Sequence, residues 1–75
     1  MDQERTLSNL KKGEKGIVSK VLEGASSIRL MEMGLIPGTP IQLSAVSPFG
    51  DPIAVKVGAF FLSLRRKDAE HVVVK

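Results

Sequence analysis

Ser26-Ser27-Ile28-Arg29-Leu30-Met31-Glu32-Met33-Gly34-Leu35-Ile36-Pro37-Gly38-Thr39 is the stretch on which the fold turns. It predicts a short helix opened by Ser26 or Ser27, whose hydroxyls suit the orphan N–H groups of a helix start. Gly34 can take the left-handed conformation that ends a helix, Leu35 can fold back against it, and Pro37 forbids continuation. Ile36-Pro37-Gly38-Thr39 then fits a type II turn, with Pro at the second position and Gly at the third. At 100° per residue Ile28, Met31 and Leu35 fall on one side, and Leu30 and Met33 point elsewhere. Arg29 and Glu32 are spaced as a surface pair. The off-face Leu30 and Met33 admit two readings. Either the helix is wedged in and buries both faces, or they line an exposed apolar groove for a partner.

Outward from this helix the pattern is β. Towards the N-terminus, residues 16–22 alternate, with Ile17 and Val21 opposite Val18 and Leu22, and Leu7 and Leu10 mark one helical turn before Gly13. Towards the C-terminus, Ile41, Leu43 and Ala45 alternate with Gln42, Ser44 and Val46. Ser47-Pro48-Phe49-Gly50 suits a type I turn, and Pro52 makes Asp51 extended. Ile53, Val55 and Val57 form the inner face of the next strand. Gly58-Ala59 is a Gly-first hairpin loop, followed by Phe60, Leu62 and Leu64 alternating with Phe61, Ser63 and Arg65. Residues 66–70 read as a polar helical turn and 71–75 as a final β-branched strand. The expectation is a mainly β fold, a small closed barrel of five strands with one inserted helix plugging an end. Closure would remove the exposed edges. Residues 1–5 read as a polar tail and residues 6–75 as one domain.

Composition narrows function. The chain has 75 residues, no Cys, one His and no Trp or Tyr, with 11 basic and 8 acidic residues for a net charge of +3. A domain this short has little core to give up to an enzyme cleft. No Cys–His, Ser–His–Asp or multi-His constellation is available, so no catalytic residue and no metal ligand set is assigned. Few aromatics and a small positive charge argue against a nucleic-acid binder. No apolar run is long enough for a signal peptide or a membrane span, so a cytoplasmic chain without membrane insertion is expected. His71 reads as an ordinary surface or edge histidine. Arg65-Arg66-Lys67 is the densest basic cluster, partly neutralised by Asp68 and Glu70.

Three ordered blocks resemble the FeoA family. Arg29-Leu30-Met31-Glu32-Met33-Gly34-Leu35-Ile36-Pro37-Gly38 resembles its arginine-leucine-x-glutamate-x-glycine-leucine-x-proline-glycine block. Ser47-Pro48-Phe49-Gly50-Asp51-Pro52 resembles its alanine-proline-phenylalanine-glycine-aspartate-proline block. Leu62-Ser63-Leu64-Arg65-Arg66 resembles its leucine-alanine-leucine-arginine-arginine segment. Ser47 and Ser63 stand where the family has a small apolar residue. The resemblance implies an SH3-like barrel and an accessory of ferrous-iron uptake acting with the membrane transporter FeoB, which carries a cytosolic G domain. The alternative is a metal-responsive module like the C-terminal domain of diphtheria-toxin-repressor-type regulators. It would associate weakly with ferrous or manganous ion through a carboxylate or His71. No metal-ligand signature maps onto the chain, so no cofactor is carried over. The partner-binding candidates are Leu30, Met33 and Gly34 on the helix, Pro48 and Phe49 on the turn, and Arg65 and Arg66. Gly34, Pro37, Gly38, Pro48, Gly50, Asp51 and Pro52 are the structural turn residues.

Overall fold

Six antiparallel strands appear where five were expected, in a computed structural model that describes residues 4–75. They are β1 (Arg5–Thr6), β2 (Lys15–Val21), β3 (Pro40–Val46), β4 (Ile53–Val57), β5 (Phe60–Leu64) and β6 (Val72–Val74). A 3-10 turn, Leu7–Asn9, follows β1. Helix α1 (Ser27–Glu32) links β2 to β3, and α2 (Arg66–Ala69) links β5 to β6. The sheet order is β1-β6-β2-β3-β4-β5. Residues 1–3 of the expected tail lie outside the described residues, and Arg5 is no tail residue, since it pairs with Val74.

Every turn decided by backbone conformation is found as the residues require. Gly34 has φ +102°. Its N–H donates to the Met31 carbonyl at 3.0 Å and the Leu35 N–H to the Leu30 carbonyl at 3.2 Å, the two bonds of a Schellman cap. Gly38 has φ +92°, and the Thr39 N–H reaches the Ile36 carbonyl at 3.1 Å, closing the type II turn. Gly50 N–H meets the Ser47 carbonyl at 2.7 Å. The Asp51–Pro52 peptide bond is cis.

The core is one cluster, in which Leu7, Val18, Leu30, Leu35, Leu43, Ile53, Val55 and Val72 are almost fully buried. Each such Leu or Ile contributes about 1.5–3 kcal/mol by leaving water. Three expectations are corrected here. First, α1 buries Leu30 and half-buries Met33, while Ile28 and Met31 are 69% and 40% exposed. Leu35 lies beyond Gly34, so helical phase does not govern it; the Schellman return sends it onto Leu30. Second, the alternation of β3 breaks after Leu43. Leu43 faces Val55 but Ala45 faces Ala54, so Ser44 is an extra residue and Ala45 and Val46 turn outward. A similar shift at Ser19 lies between β2 and β6. Such bulges bend and twist the sheet. Third, the sheet bends without closing by hydrogen bonds: β1 and β5 remain its two ends.

The expected hydroxyl cap of α1 is also absent. Ser26 Oγ donates to Asp68 Oδ1 at 3.0 Å, and Ser27 Oγ to the Gly24 carbonyl at 3.0 Å.

Candidate functional site

The α1–α2 end is built from long-range polar contacts. Asp68 is the one buried charged residue among those described, 7% exposed. Besides Ser26 it takes Arg29 Nη2 on Oδ2 at 3.0 Å. Arg29 therefore pairs with Asp68, on α2, and not with Glu32 as its spacing suggested. Burying a polar side chain without such hydrogen-bond partners is costly, and both carboxyl oxygens of Asp68 have one.

Arg66 works as a clasp. Its Nε donates to the Gly50 carbonyl and its Nη1 to the Ser8 carbonyl, each at 2.9 Å, while its backbone N–H donates to Asp51 Oδ1 at 2.9 Å. Asp51 thus caps the first turn of α2 from another loop. One residue joins the 3-10 turn, the Pro48–Pro52 loop and α2. Arg66, offered as a partner-binding residue, has a structural role here: its Nε and Nη1 are committed to carbonyls of its own chain.

The other sequence candidates separate as follows. Met33 and Arg65 come together in a cleft of about 240 Å³ between α1 and β5–α2, which Arg29, Ser63, Leu64 and Asp68 complete. Arg65 is exposed and makes no ion pair among the described residues. Leu30 is corrected: at 0% exposed it is core and offers no surface for a partner to touch. Gly34 shapes the helix end and lines no part of this cleft. Phe49, 97% exposed, and Pro48, also exposed, stand at the loop tip away from it. Pro52 lines a neighbouring hollow of about 170 Å³ that shares Ser63 with the cleft.

A larger groove of about 560 Å³ was missed in the sequence. Lys15, Ile17, Pro40, Gln42, Lys56 and Gly58 are among its walls. Lys15 pairs with Gln42, Gln42 with Lys56 and Lys56 with Phe61. Paired residues share a face, so two cations and a ring form one row across four strands. β2 and β4 each bring one lysine to it, β3 a glutamine and β5 a ring, and the row exists only once the register is known.

Near this row, Arg5 grips Glu14 with Nη1 and Nη2, at 2.8 and 3.0 Å. Those bonds, with a further one from the Lys11 N–H, hold the Glu14 carboxyl down to about 2. His71 is half-buried, with Nδ1 3.1 Å from the Lys67 carbonyl. No three His, Asp or Glu side chains among the described residues are grouped to hold a metal ion. No helix among them is long and apolar enough to cross a membrane.

Comparison with known proteins agrees with this architecture. The FeoA domain family matches residues 5–75. A curated relative, the Fe(2+) transport protein A/Fe(2+) transporter FeoB fusion protein of Porphyromonas gingivalis, is 31% identical over 70 residues. These make up 92% of this chain but only 8% of that protein. A FeoA-like protein of Clostridium acetobutylicum superposes with a TM-score of 0.90 at 29% identity, over 100% of this chain and 88% of that one. The zinc-complexed FeoA of Stenotrophomonas maltophilia, described as a prokaryotic SH3 domain protein, gives 0.84 at 33% identity, over 95% and 89%. IdeR of T. acidophilum gives 0.84 at 21% identity, over 100% of this chain and 35% of that one, and shows a shared fold alone. Matched from Arg5 to its last residue, with an SH3-like sheet that its relatives share, the chain belongs to the FeoA domain family.

Proposed function

We propose that this chain is a non-enzymatic cytoplasmic accessory module of ferrous-iron uptake that binds a FeoB-type membrane transporter through the transporter's G domain. The observation that carries this reading is the P. gingivalis fusion, in which a segment 31% identical to this chain is joined to a FeoB transporter. A tether brings two modules to an effective concentration of about millimolar. Docking on that partner, tethered or not, also needs a surface that supplies affinity. The cleft between α1 and β5–α2 supports such a role. Met33 provides an adaptable apolar wall and Arg65 an uncommitted cation at the rim, a combination suited to an acidic segment with one apolar anchor.

Co-purification with the transporter, and with its isolated G domain, tests the reading. Met33→Asp and Arg65→Glu are expected to abolish capture while the melting curve stays cooperative. Retained capture by folded variants rejects the cleft, and no capture by the unaltered chain rejects the partner. The alternative, a metal-responsive module, is favoured by the fold shared with IdeR alone. Calorimetry with ferrous and manganous ion separates the two, because only the alternative requires saturable heat.

A further inference from the structure

The two ends of the sheet are finished differently. β1 is two residues long and carries Arg5. Natural edges are usually blunted in this way, by shortness, charge, proline or a bulge. β5, Phe60–Leu64, has none of these protections. It is five residues long, uncharged, and pairs with β4 in unbroken register from Val57↔Phe60 to Ile53↔Leu64. Phe60 and Phe61 stand 74% and 64% exposed.

The hairpin fixes which backbone groups are free. Val57 and Phe60 close a two-residue loop, so they form a hydrogen-bonded pair, and bonded pairs alternate along an antiparallel ladder. Phe60, Leu62 and Leu64 therefore bond to β4, and the N–H and C=O groups of Phe61 and Ser63 face away. Among the described residues, none of these outward groups has a hydrogen-bond partner.

We propose that β5 pairs antiparallel with β5 of a second copy of this chain, about a two-fold axis at Leu62. In that register Phe61 bonds with the partner's Ser63 and Ser63 with the partner's Phe61, which satisfies every outward group of the strand on both chains. Leu62 then faces the partner's Leu62, and Phe60 faces the partner's Leu64. No like charges oppose one another, because β5 holds none. Arg65, still extended at φ −69° and ψ 143°, falls opposite the partner's Ala59 and diagonal to the partner's Phe61, where a guanidinium can meet a ring. An identical strand is the occupant because it matches the free groups, the neutral strand and the flanking cation simultaneously.

The chain has no Cys, so single-cysteine variants report the register. Cα atoms of a non-bonded antiparallel pair lie about 4.5 Å apart, within the disulfide range of about 4.4–6.8 Å. Leu62→Cys is expected to form a disulfide dimer on mild oxidation at least tenfold faster than Phe60→Cys. The two Phe60 positions are four residues out of register, about 13 Å apart. Ser63→Pro removes one outward N–H and no bond to β4. In sedimentation velocity it is expected to weaken self-association at least tenfold. A chain that stays monomeric at millimolar concentration overturns the proposal, as do equal oxidation rates for the two cysteine variants. A monomer whose capture of the transporter is lost with Ser63→Pro also overturns it, and assigns the edge to that partner.

Discussion

At the α1–α2 end of the molecule charged side chains hold the fold together. Asp68 is buried under Arg29 and Ser26, and Arg66 ties two distant carbonyls. At the β4–β5 hairpin the roles reverse, and Phe60 and Phe61 stand in water beside Lys56. A basic cluster looks like a binding patch and a phenylalanine pair looks like core, yet here Arg66 of the cluster is spent on the fold and both rings lie outside the core. The difference comes from reach. A long guanidinium can span between elements and replace contacts that a small core cannot supply. A hairpin tip extends beyond the layer that could cover it.

The largest test of this contrast is Leu30→Ala. Leu30 sits at the floor of the polar end, fully buried, and its truncation is expected to cost about 2–5 kcal/mol in urea unfolding. A loss under 1 kcal/mol would mean that α1 is held by its charges and not by its core contact. Next is Arg66→Ala, which strands the Gly50 and Ser8 carbonyls. A loss of about 2 kcal/mol is expected, and Arg66→Lys should recover little, because a single ammonium cannot serve two carbonyls in the fork geometry. Full recovery by Lys would show that charge alone matters there.

The Arg5–Glu14 pair is a more exposed version of the same device, with side chains 49% and 31% exposed. Its effect is expected to be smaller and to depend on pH. Arg5 holds the Glu14 carboxyl at about 2, below the usual 4.5. A depressed carboxylate stabilises fully above its unfolded value and loses that contribution as pH falls through the folded one. The gap in melting temperature between the chain and Glu14→Gln should be constant above about pH 5 and close as pH approaches about 2. A gap that persists at pH 2 would show that the carboxylate charge is not its source. The smallest effect is expected at the hairpin. Phe60→Thr and Phe61→Thr should shift monomer stability by no more than about 0.5 kcal/mol. A larger loss would place the rings in the core after all.

Much of the fold was legible in the sequence. The Schellman end at Gly34, the type II turn at Gly38 and the Gly58 hairpin each rest on a positive φ that few residues but Gly adopt. They set element boundaries to within about a residue. The candidate site was legible only in part. Met33 and Arg65 do share a cleft, but Leu30, Arg66 and the loop tip at Phe49 do not belong to it. Leu30 was misplaced because helical phase was carried through Gly34 to Leu35. Arg66 was misread because its acceptors are backbone carbonyls, which have no sequence signature. The row Lys15–Gln42–Lys56–Phe61 was invisible because it needs the register of four strands.

By itself, the sequence determined where this chain turns, which segments are strands, and that no Cys-based or multi-His chemistry is available. Those are local or compositional properties, carried by single residues and their immediate neighbours. The tertiary structure alone decided which charges are spent on the fold, which helix face meets the core, and which sheet edge is left open. The contacts behind those choices join residues 15 to 58 positions apart. Two bulges then redirect the strands between them. Over such separations a side chain's partner depends on how bent strands bring the chain together, and no local pattern encodes that.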